Sequence, residues 1–257
     1  MDAILQATGL VKRYGDKAAV DDVDLSVRAG ERVALLGPNG AGKTTTLMMV
    51  LGVIDPDTGW VEIAGHRLPR ERSAALANVG FSAGYMPLAE RLRVHEFLRM
   101  YGELYGLSDT RSRIAAGLEH FRISGLGSSM CTELSSGQRT LIGLVKATLH
   151  RPRLLVLDEP TASLDPDVAL LVRTGLRELC SEEGMALLIT SHNMVEIERL
   201  CERVVFMQAG RVIADDSPEG IGERFGRGSL EDVFLHLAGV EHHDHVEPAA
   251  QKTDHPA

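Results

Sequence analysis

The pattern with the clearest chemical potential in this sequence of 257 residues is a glycine-rich stretch near the N-terminus. It matches G-x-x-x-x-G-K-[ST], with Gly37, Gly42, Lys43 and Thr44 at the defining positions. The stretch consists, in order, of Gly37, Pro38, Asn39, Gly40, Ala41, Gly42, Lys43, Thr44 and Thr45. Glycines let successive backbone N–H groups turn toward one point, where they can bind an anion. We therefore interpret residues 37–45 as a phosphate-binding loop.

The elements on either side of this loop favour the same interpretation. Residues 32–36 predict a buried strand, and residues 45–51 predict a helix that stops at Gly52. The positive end of that helix dipole would point at a bound phosphate. We expect Lys43 to reach the β- and γ-phosphates of a nucleotide and the Thr44 hydroxyl to ligate Mg²⁺. An ordinary strand–turn–helix, with glycines for tight packing, is the structural alternative.

Two adjacent carboxylates form the second group with chemical potential. Asp158 and Glu159 follow the apolar run 154–157, which is typical of a strand buried on both faces. Ligands bind at this end of the strands in open α/β sheets. Asp158 suits Mg²⁺, through a coordinated water, and Glu159 suits the base that orients the attacking water. Solvated loop charges are the alternative, and the phosphate loop in the same chain favours the functional interpretation.

His192 follows a second apolar run, 186–190, and could place an imidazole N–H against a γ-phosphate. A single histidine is more often structural, so the residue type alone does not assign this role.

Alternation and helical periodicity predict the elements that must position these groups. Strands are predicted at 4–11, 23–27, 32–36, 60–63, 78–81, 154–157 and 186–190, with a hairpin of 204–207 and 211–214. Helical segments are predicted at 45–51, 90–120, from Ser135 or Ser136 to Pro152, 165–180, 194–200 and 230–237. Residues 12–17 are predicted to be a turn-like stretch.

An apolar and aromatic stripe lies within the predicted helical segment 90–120. Its members fall at helical spacing and comprise Phe97, Leu98, Tyr101, Leu104 and Tyr105. Most such stripes pack into a core, and we favour that interpretation. A groove that receives a partner helix is the functional alternative.

The composition limits the class of protein. An apolar fraction of 44% and a charged fraction of 25% are globular values, and the net charge of −9 argues against a surface that coats nucleic acid. Cys131, Cys180 and Cys201 are odd in number and scattered, which favours free thiols in a reducing compartment. No apolar run approaches the roughly 18 residues of a membrane span, and the N-terminus lacks a signal-peptide pattern. We expect any work at a membrane to go through a partner.

Taken in order and spacing, these segments resemble the nucleotide-binding subunits of ABC transporters over roughly residues 4–238. The phosphate loop resembles Walker A, and residues 154–160 resemble Walker B with its catalytic glutamate. Residues 134–138, Leu-Ser-Ser-Gly-Gln, resemble the ABC signature, usually Leu-Ser-Gly-Gly-Gln. Residues 163–165 are similar to the D-loop and residues 190–192 to the H-loop.

The resemblance implies ATP and Mg²⁺ as cofactors and extends the set of candidate site residues. Tyr14 matches the aromatic residue that stacks on adenine. Glu159, His192 and Lys43 are the implied catalytic residues, and Thr44 and Asp158 the implied metal ligands. Further implied nucleotide contacts come from the signature and the D-loop, through Ser135, Gly137, Gln138 and Asp165.

The implied fold is α/β: a P-loop NTPase core with a mixed sheet, an antiparallel β subdomain and an inserted α-helical signature subdomain at about 84–150. We expect one ABC ATPase domain over 4–238, followed by a disordered, His-rich tail at 239–257. A tail that sequesters metal is the alternative.

The resemblance also implies partners. Two copies would form a homodimer, with each ATP between the Walker A of one copy and the signature of the other. Nucleotide state would then move separately encoded transmembrane permease subunits. The chain would be cytoplasmic, peripheral on the inner face of the cell membrane through the permease. Residues 79–81, 91–96 and 229–234 look most like ABC-2-type sodium and drug exporters.

Three positions depart from the family pattern. Gly84 stands where the Q-loop glutamine is expected, and there is no glutamine between Gln6 and Gln138. Ser136 replaces the first signature glycine, which is harmless if the backbone there suits a residue with a side chain. Lys146 stands where arginine is usual.

Two other functions compete with a transporter ATPase. A soluble ABC ATPase that acts on ribosomes or DNA usually carries tandem domains or long coiled-coil insertions, and this chain has one phosphate loop and no heptad run. A weakly active regulatory nucleotide-binding module is the second alternative, and Gly84 at the Q-loop position is the reason to keep it. A simple P-loop kinase would not need a signature or an H-loop.

Overall fold

The computed structural model describes residues 3–84, 87–161 and 164–237. The predictions for Ser163 and for the His-rich tail at 239–257 concern residues outside these ranges. Within them, a six-stranded sheet carries a smaller antiparallel sheet and the first two helices on one face, and the later helices on the other.

Ten strands form the two sheets in the described part of the chain. In chain order they are β1 (Ala3–Tyr14), β2 (Lys17–Arg28), β3 (Arg32–Leu36), β4 (Thr58–Ile63), β5 (His66–Arg67), β6 (Val79–Ala83), β7 (Leu154–Asp158), β8 (Ala186–Thr190), β9 (Arg203–Gln208) and β10 (Arg211–Asp216). The larger sheet has the order β10-β9-β3-β8-β7-β6, and only β10 is antiparallel to its neighbour. The predicted mixed sheet is therefore present.

Alternate residues of the central strands face two different cores. On β3, Val33 and Leu35 belong to the core beneath the antiparallel sheet, whereas Ala34 and Leu36 belong to the core beneath the helices. The same alternation holds on β7 and β8. A strand covered on both faces needs apolar side chains at every position, which is why these segments read as continuous apolar runs.

The four-stranded sheet has the order β2-β1-β4-β5 and is antiparallel throughout. The prediction that residues 12–17 form a turn-like stretch was wrong. β1 continues to Tyr14, with Lys12 paired to Val20 and Tyr14 to Lys17, so the turn consists of Gly15 and Asp16 alone. Polar composition hid the strand because this end of the hairpin is exposed.

Nine α-helices lie in the described ranges. They are α1 (Lys43–Val50), α2 (Arg72–Leu76), α3 (Val94–Leu104), α4 (Thr110–His120), α5 (Ser136–Thr148), α6 (Pro166–Glu183), α7 (Met194–Leu200), α8 (Pro218–Phe225) and α9 (Leu230–Leu237). Short 3₁₀ turns lie at Ser124–Leu126 and Cys131–Glu133. The helix predicted at 45–51 begins two residues earlier, inside the loop motif.

The helical periodicity predicted over 90–120 is divided between α3 and α4. Gly106 has a φ of 69°, and the Leu107 N–H donates to Gly102 O at 2.9 Å, which closes the last turn of α3. The Thr110 hydroxyl then donates to Leu107 O at 2.8 Å beside the start of α4. A continuous periodic pattern did not reveal this break because the glycine cap interrupts the helix without interrupting the apolar spacing.

The aromatic stripe on α3 is only partly a packing feature. Phe97 and Leu98 are buried, and Tyr101 packs against Phe97 with ring centroids 5.1 Å apart. Leu104 is 73% exposed and Tyr105 is 40% exposed. The first half of the stripe therefore serves the core, as predicted, while its end remains on the surface.

Candidate active site

The predicted phosphate loop connects β3 to α1, as the sequence indicated. Gly42 has a φ of 104° and lies directly before α1. A Cβ at this position would meet Ala19 O at 2.4 Å, so only glycine lets the loop pass this close to β2. The Gly210 N–H donates to Ala41 O at 3.0 Å, which ties the loop to the β9–β10 turn as well.

Lys43 lies over its own loop. Its Nζ donates to Gly37 O at 2.6 Å and to Pro38 O at 3.3 Å. Burial lowers the pKa of the Lys43 ammonium below its usual value, and the nearby carboxylates of Glu159 and Asp158 oppose that shift. The two hydrogen-bond acceptors of Lys43 are neutral carbonyls, so an anion that enters the loop can replace them and form a charge-assisted bond.

Asp158 and Glu159 lie at the end of β7, as predicted. The Thr190 hydroxyl donates to Asp158 Oδ1 at 2.5 Å, because the parallel register places Thr190 of β8 beside Asp158. Thr190 was missed in the sequence because its role depends on pairing between two strands that are far apart in the chain. Its position at the end of a buried strand was the available signal.

Glu159 adopts a left-handed backbone conformation, with a φ of 53°. Its Oε2 accepts the His192 backbone N–H at 3.1 Å, and its Oε1 lies 3.3 Å from His192 Nε2. The two residues come from different strand ends, and the structure brings them together. A non-glycine residue with positive φ is uncommon and often marks a functional site.

A cavity of about 480 Å³ collects most of the predicted site. Its walls include Tyr14, which is 55% exposed, loop residues 39–45, Asp158, Glu159 and His192. Gly37 and Pro38 contribute their carbonyls to Lys43 and do not line this space. Lys17, Ala19 and Thr190 also line it and were not predicted.

The signature residues lie elsewhere. Ser135 caps α5: its hydroxyl accepts the Gln138 N–H at 3.2 Å, and Gln138 Oε1 accepts the Ser135 N–H at 3.0 Å. A Cβ on Gly137 would meet Val168 Cγ1 of α6 at 3.0 Å, so this glycine allows close contact between the two helices. Asp165 precedes α6. None of these four predicted site residues, Ser135, Gly137, Gln138 and Asp165, lines the cavity of its own chain.

The residues around the cavity fit a magnesium–nucleotide complex. The Thr44 hydroxyl and the Asp158 carboxylate are oxygen donors of the kind that Mg²⁺ prefers, and both line the cavity. The loop N–H groups and Lys43 suit the phosphates, and the Tyr14 ring offers an aromatic face for a base. The site therefore combines the parts that phosphoryl transfer to water requires.

Comparison with known proteins identifies the fold and the family. A family model described as "ABC transporter" matches residues 20–162. The chain belongs to the ABC transporter family. It is an ATP-binding, ATP-hydrolysing member of that family, with the α/β fold that the sequence predicted.

Individual ABC relatives align over most of the chain. The Nod factor export ATP-binding protein I of Cupriavidus metallidurans is 37% identical over 99% of this chain and 84% of the relative. The linearmycin resistance ATP-binding protein of Bacillus subtilis is 33% identical over 92% of this chain and 76% of the relative. A solved ATP-binding subunit of an ABC transporter superposes with a TM-score of 0.83 at 30% identity, covering 91% of this chain and 99% of that one.

The departures from the ABC pattern have local structural explanations. Ser136 is the first residue of α5, and it is absent from the residues with positive φ, so a side chain is tolerated there. Lys146 is buried on α5, and its Nζ donates to Phe81 O at 3.0 Å. Gly84 lies at the end of β6, where its N–H donates to Asp158 O at 2.9 Å.

No helix in residues 3–84, 87–161 and 164–237 combines the length and the apolar character that a membrane crossing demands.

Proposed function

We propose that this ABC protein is the ATPase subunit of an exporter, that it hydrolyses Mg-ATP in the cavity lined by residues 39–45, Asp158 and His192, and that it works as a homodimer with separately encoded membrane subunits. The observation that carries the proposal is the division of the site. Lys43, Glu159 and His192 meet in one cavity, whereas the signature residues of the same chain do not reach it. A second copy can supply them.

The chemistry follows from the residues that line the cavity. Loop N–H groups and Lys43 bind the β- and γ-phosphates, and Tyr14 stacks on the adenine. Thr44 and Asp158 would hold Mg²⁺, which would neutralise charge on the phosphates. Glu159 accepts the hydrogen bond that orients the attacking water, and His192 then donates from its imidazole to the γ-phosphate.

The second copy would complete the site with the start of α5. Ser135 and the first N–H groups of α5 form a helix N-terminus of the kind that binds anions. Asp165, which precedes α6, would face the same interface. Beside Glu159 and His192 lies a further cavity, of about 770 Å³, with Val195 on its wall, and Val195 is 43% exposed. Contact with a second copy would cover this surface.

The exporter assignment and the membrane partner rest on the relatives and on one surface. One relative is named for Nod factor export, and another is named for linearmycin resistance. The exposed end of α3, with Met100, Leu104 and Tyr105, presents apolar side chains that a permease helix could cover. Through that contact the chain would sit on the cytoplasmic face of the membrane.

Steady-state hydrolysis of Mg-ATP by the purified protein, alone and with its permease, tests the proposal. We expect turnover that requires Mg²⁺ and is abolished by K43A, because that substitution removes the phosphate-binding ammonium. A wild-type protein that binds Mg-ATP but shows no turnover in either preparation would favour a regulatory nucleotide-binding module instead. Association with ribosomes or DNA, without a membrane partner, would favour the soluble alternative.

A further inference from the structure

Tyr14 lies near the tip of the β1–β2 hairpin, which we define as residues 12–17. It lines the cavity of about 480 Å³ and is 55% exposed. Residues 13–17 are all exposed, so burial in a core does not fix this part of the hairpin. The strand pairing also shifts register between Lys12 and Arg13. Pairing within the hairpin tip therefore does not by itself fix where Tyr14 lies relative to the cavity.

The edge of β1 that faces β4 loses its strand partner just before the hairpin tip. Val11 pairs with Thr58, which is the first residue of β4. Past that pair, no further strand bonds to this edge in the described part of the chain. A backbone N–H on an open edge needs an acceptor from a side chain or from water. Asp57, the residue before β4, supplies such an acceptor.

Asp57 bonds to three consecutive residues of β1. Its N–H donates to Val11 O at 2.8 Å, which extends the pairing with β4 by one residue. Its Oδ1 accepts Lys12 Nζ at 2.8 Å, and its Oδ2 accepts the Arg13 N–H at 2.7 Å. Lys12 Nζ also donates to Asp55 O at 2.9 Å. The bond from Lys12, followed by that from Arg13, lowers the pKa of the Asp57 carboxyl, so it is an ionised acceptor at neutral pH.

The place of this contact in the hairpin determines what it can do. The bonded Arg13 N–H lies one residue before Tyr14. On the other strand, the Asp21 N–H donates to Gly210 O at 2.8 Å, which connects β2 to the β9–β10 turn. The hairpin is therefore anchored on both strands, and Asp57 provides the anchor on the strand that carries Tyr14.

We infer that Asp57 is a positioning residue for Tyr14: its carboxylate holds the end of β1 beside β4 and thereby sets the aromatic ring at the wall of the nucleotide cavity. This inference rests on the proposed stacking of Tyr14 on adenine. Exposed ion pairs usually contribute little to stability. Loss of the Asp57 carboxylate should therefore lower nucleotide affinity and leave the melting temperature nearly unchanged.

Titration calorimetry with Mg-ADP tests the inference, because ADP carries the adenine and is not a substrate of the proposed hydrolysis. We expect D57A to weaken binding by about 3- to 10-fold, since loss of an aromatic ring that stacks on a base costs about 5- to 150-fold. The double variant Y14A/D57A should bind no more weakly than Y14A, because Asp57 acts through that ring. D57N retains one acceptor oxygen and should lose less affinity than D57A.

D55N is the matched control. Asp55 is exposed like Asp57, and its bond with Lys12 uses the backbone carbonyl, which the substitution keeps. We expect D55N to bind Mg-ADP like the wild type, and D57A to keep a wild-type kcat at saturating ATP. Wild-type affinity in D57A would overturn the inference. Equal losses in D55N and D57A, or a full additional loss from D57A in the Y14A background, would overturn it as well.

Hydrogen exchange supplies a readout that does not depend on nucleotide. In the free protein, a peptide that contains Arg13 and Tyr14 should exchange faster in D57A than in the wild type or D55N, because the Arg13 N–H has lost its acceptor. Unchanged exchange in D57A would refute the inference. Wild-type affinity of Y14A for Mg-ADP would instead count against the proposed adenine contact, and the exchange rates would still decide whether Asp57 holds the end of β1.

Discussion

Thr190 shows how a single side chain outside the predicted site shapes its chemistry. The hydroxyl donates to Asp158 Oδ1 at 2.5 Å, and both residues line the cavity. The bond directs one carboxylate oxygen toward β8, which leaves the other oxygen for the proposed Mg²⁺. A charge-assisted bond of this kind contributes on the order of 1.5–3 kcal/mol.

We expect T190A to lower kcat by about tenfold and to raise the Mg²⁺ concentration needed for half-maximal activity, because Asp158 loses its orienting donor. T190S keeps the hydroxyl and should remain close to the wild type. Magnesium titrations of the ATPase rate measure both effects. Equal magnesium requirements in T190A and the wild type would contradict the prediction.

Single residues could be placed from the sequence where their surroundings in the chain are local. Lys43 follows a glycine loop, and Asp158 and Glu159 follow an apolar run, so each could be located from its neighbours in the chain. The partnership of Thr190 with Asp158 depends on strand register instead. The left-handed conformation of Glu159 is likewise encoded by no local pattern.

At the scale of elements, the contact between α5 and β6 contains a buried charge. Lys146 is 4% exposed, its Nζ donates to Phe81 O at 3.0 Å, and it lies 5.4 Å from the centroid of the Tyr101 ring. Burial lowers the pKa of Lys146 from 10.5 to about 8. The contact therefore stabilises the fold less when the ammonium is charged.

This burial predicts a pH dependence of stability. Between pH 8 and 10.5 the unfolded chain still holds the Lys146 proton and the folded chain has lost it, so stability rises with pH in that window. We expect the free energy of unfolding of the wild type, relative to K146M, to increase by up to about 3 kcal/mol across the window.

Urea unfolding at several pH values measures this difference, and titrating groups common to both proteins cancel in it. K146M also loses the bond to Phe81 O. This loss changes the free energy of unfolding by the same amount at every pH, so it does not change the pH dependence. K146R keeps a charge throughout and should run parallel to K146M. Parallel curves for the wild type and K146M would show that Lys146 does not titrate in this range.

Helices and strands were predicted best where their own residues carry a clear apolar pattern. The strands β7 and β8 were located almost to the residue, because burial on both faces produces an unbroken apolar run. The exposed end of β1 and the short helices α2 and α8 were missed, because their sequences are polar or too short for a periodic signal. Pairing and packing with the rest of the fold, not propensity, hold these segments in place.

At the scale of the whole molecule, the separation of Ser135 from the cavity sets the conditions for assembly. The proposed homodimer forms only when ATP fills the space between Walker A of one copy and α5 of the other, so hydrolysis should release it. A variant that binds ATP but cannot activate water would hold the two copies together.

We expect E159Q to lower ATP turnover by 100-fold or more, as for the loss of a general base, and to form a stable dimer with Mg-ATP. Light scattering after size exclusion should give twice the 27.9 kDa of the single chain. The double variant K43A/E159Q, which lacks the phosphate-binding ammonium, should remain monomeric under the same conditions. An E159Q protein that binds ATP yet elutes only as a monomer would argue against the dimer.

The turn at Gly210 has a consequence for how this molecule can move. Its N–H bonds to Ala41 O at 3.0 Å, and its own carbonyl accepts the Asp21 N–H at 2.8 Å, so the nucleotide loop is joined at one point to both sheets. Rotation of one sheet against the other would break the bond between Gly210, in the β9–β10 turn, and Asp21 of β2. We therefore expect the two sheets to move together beside the triphosphate. We expect any movement passed to a partner to come from the helices between β6 and β7, which this pair of bonds does not include.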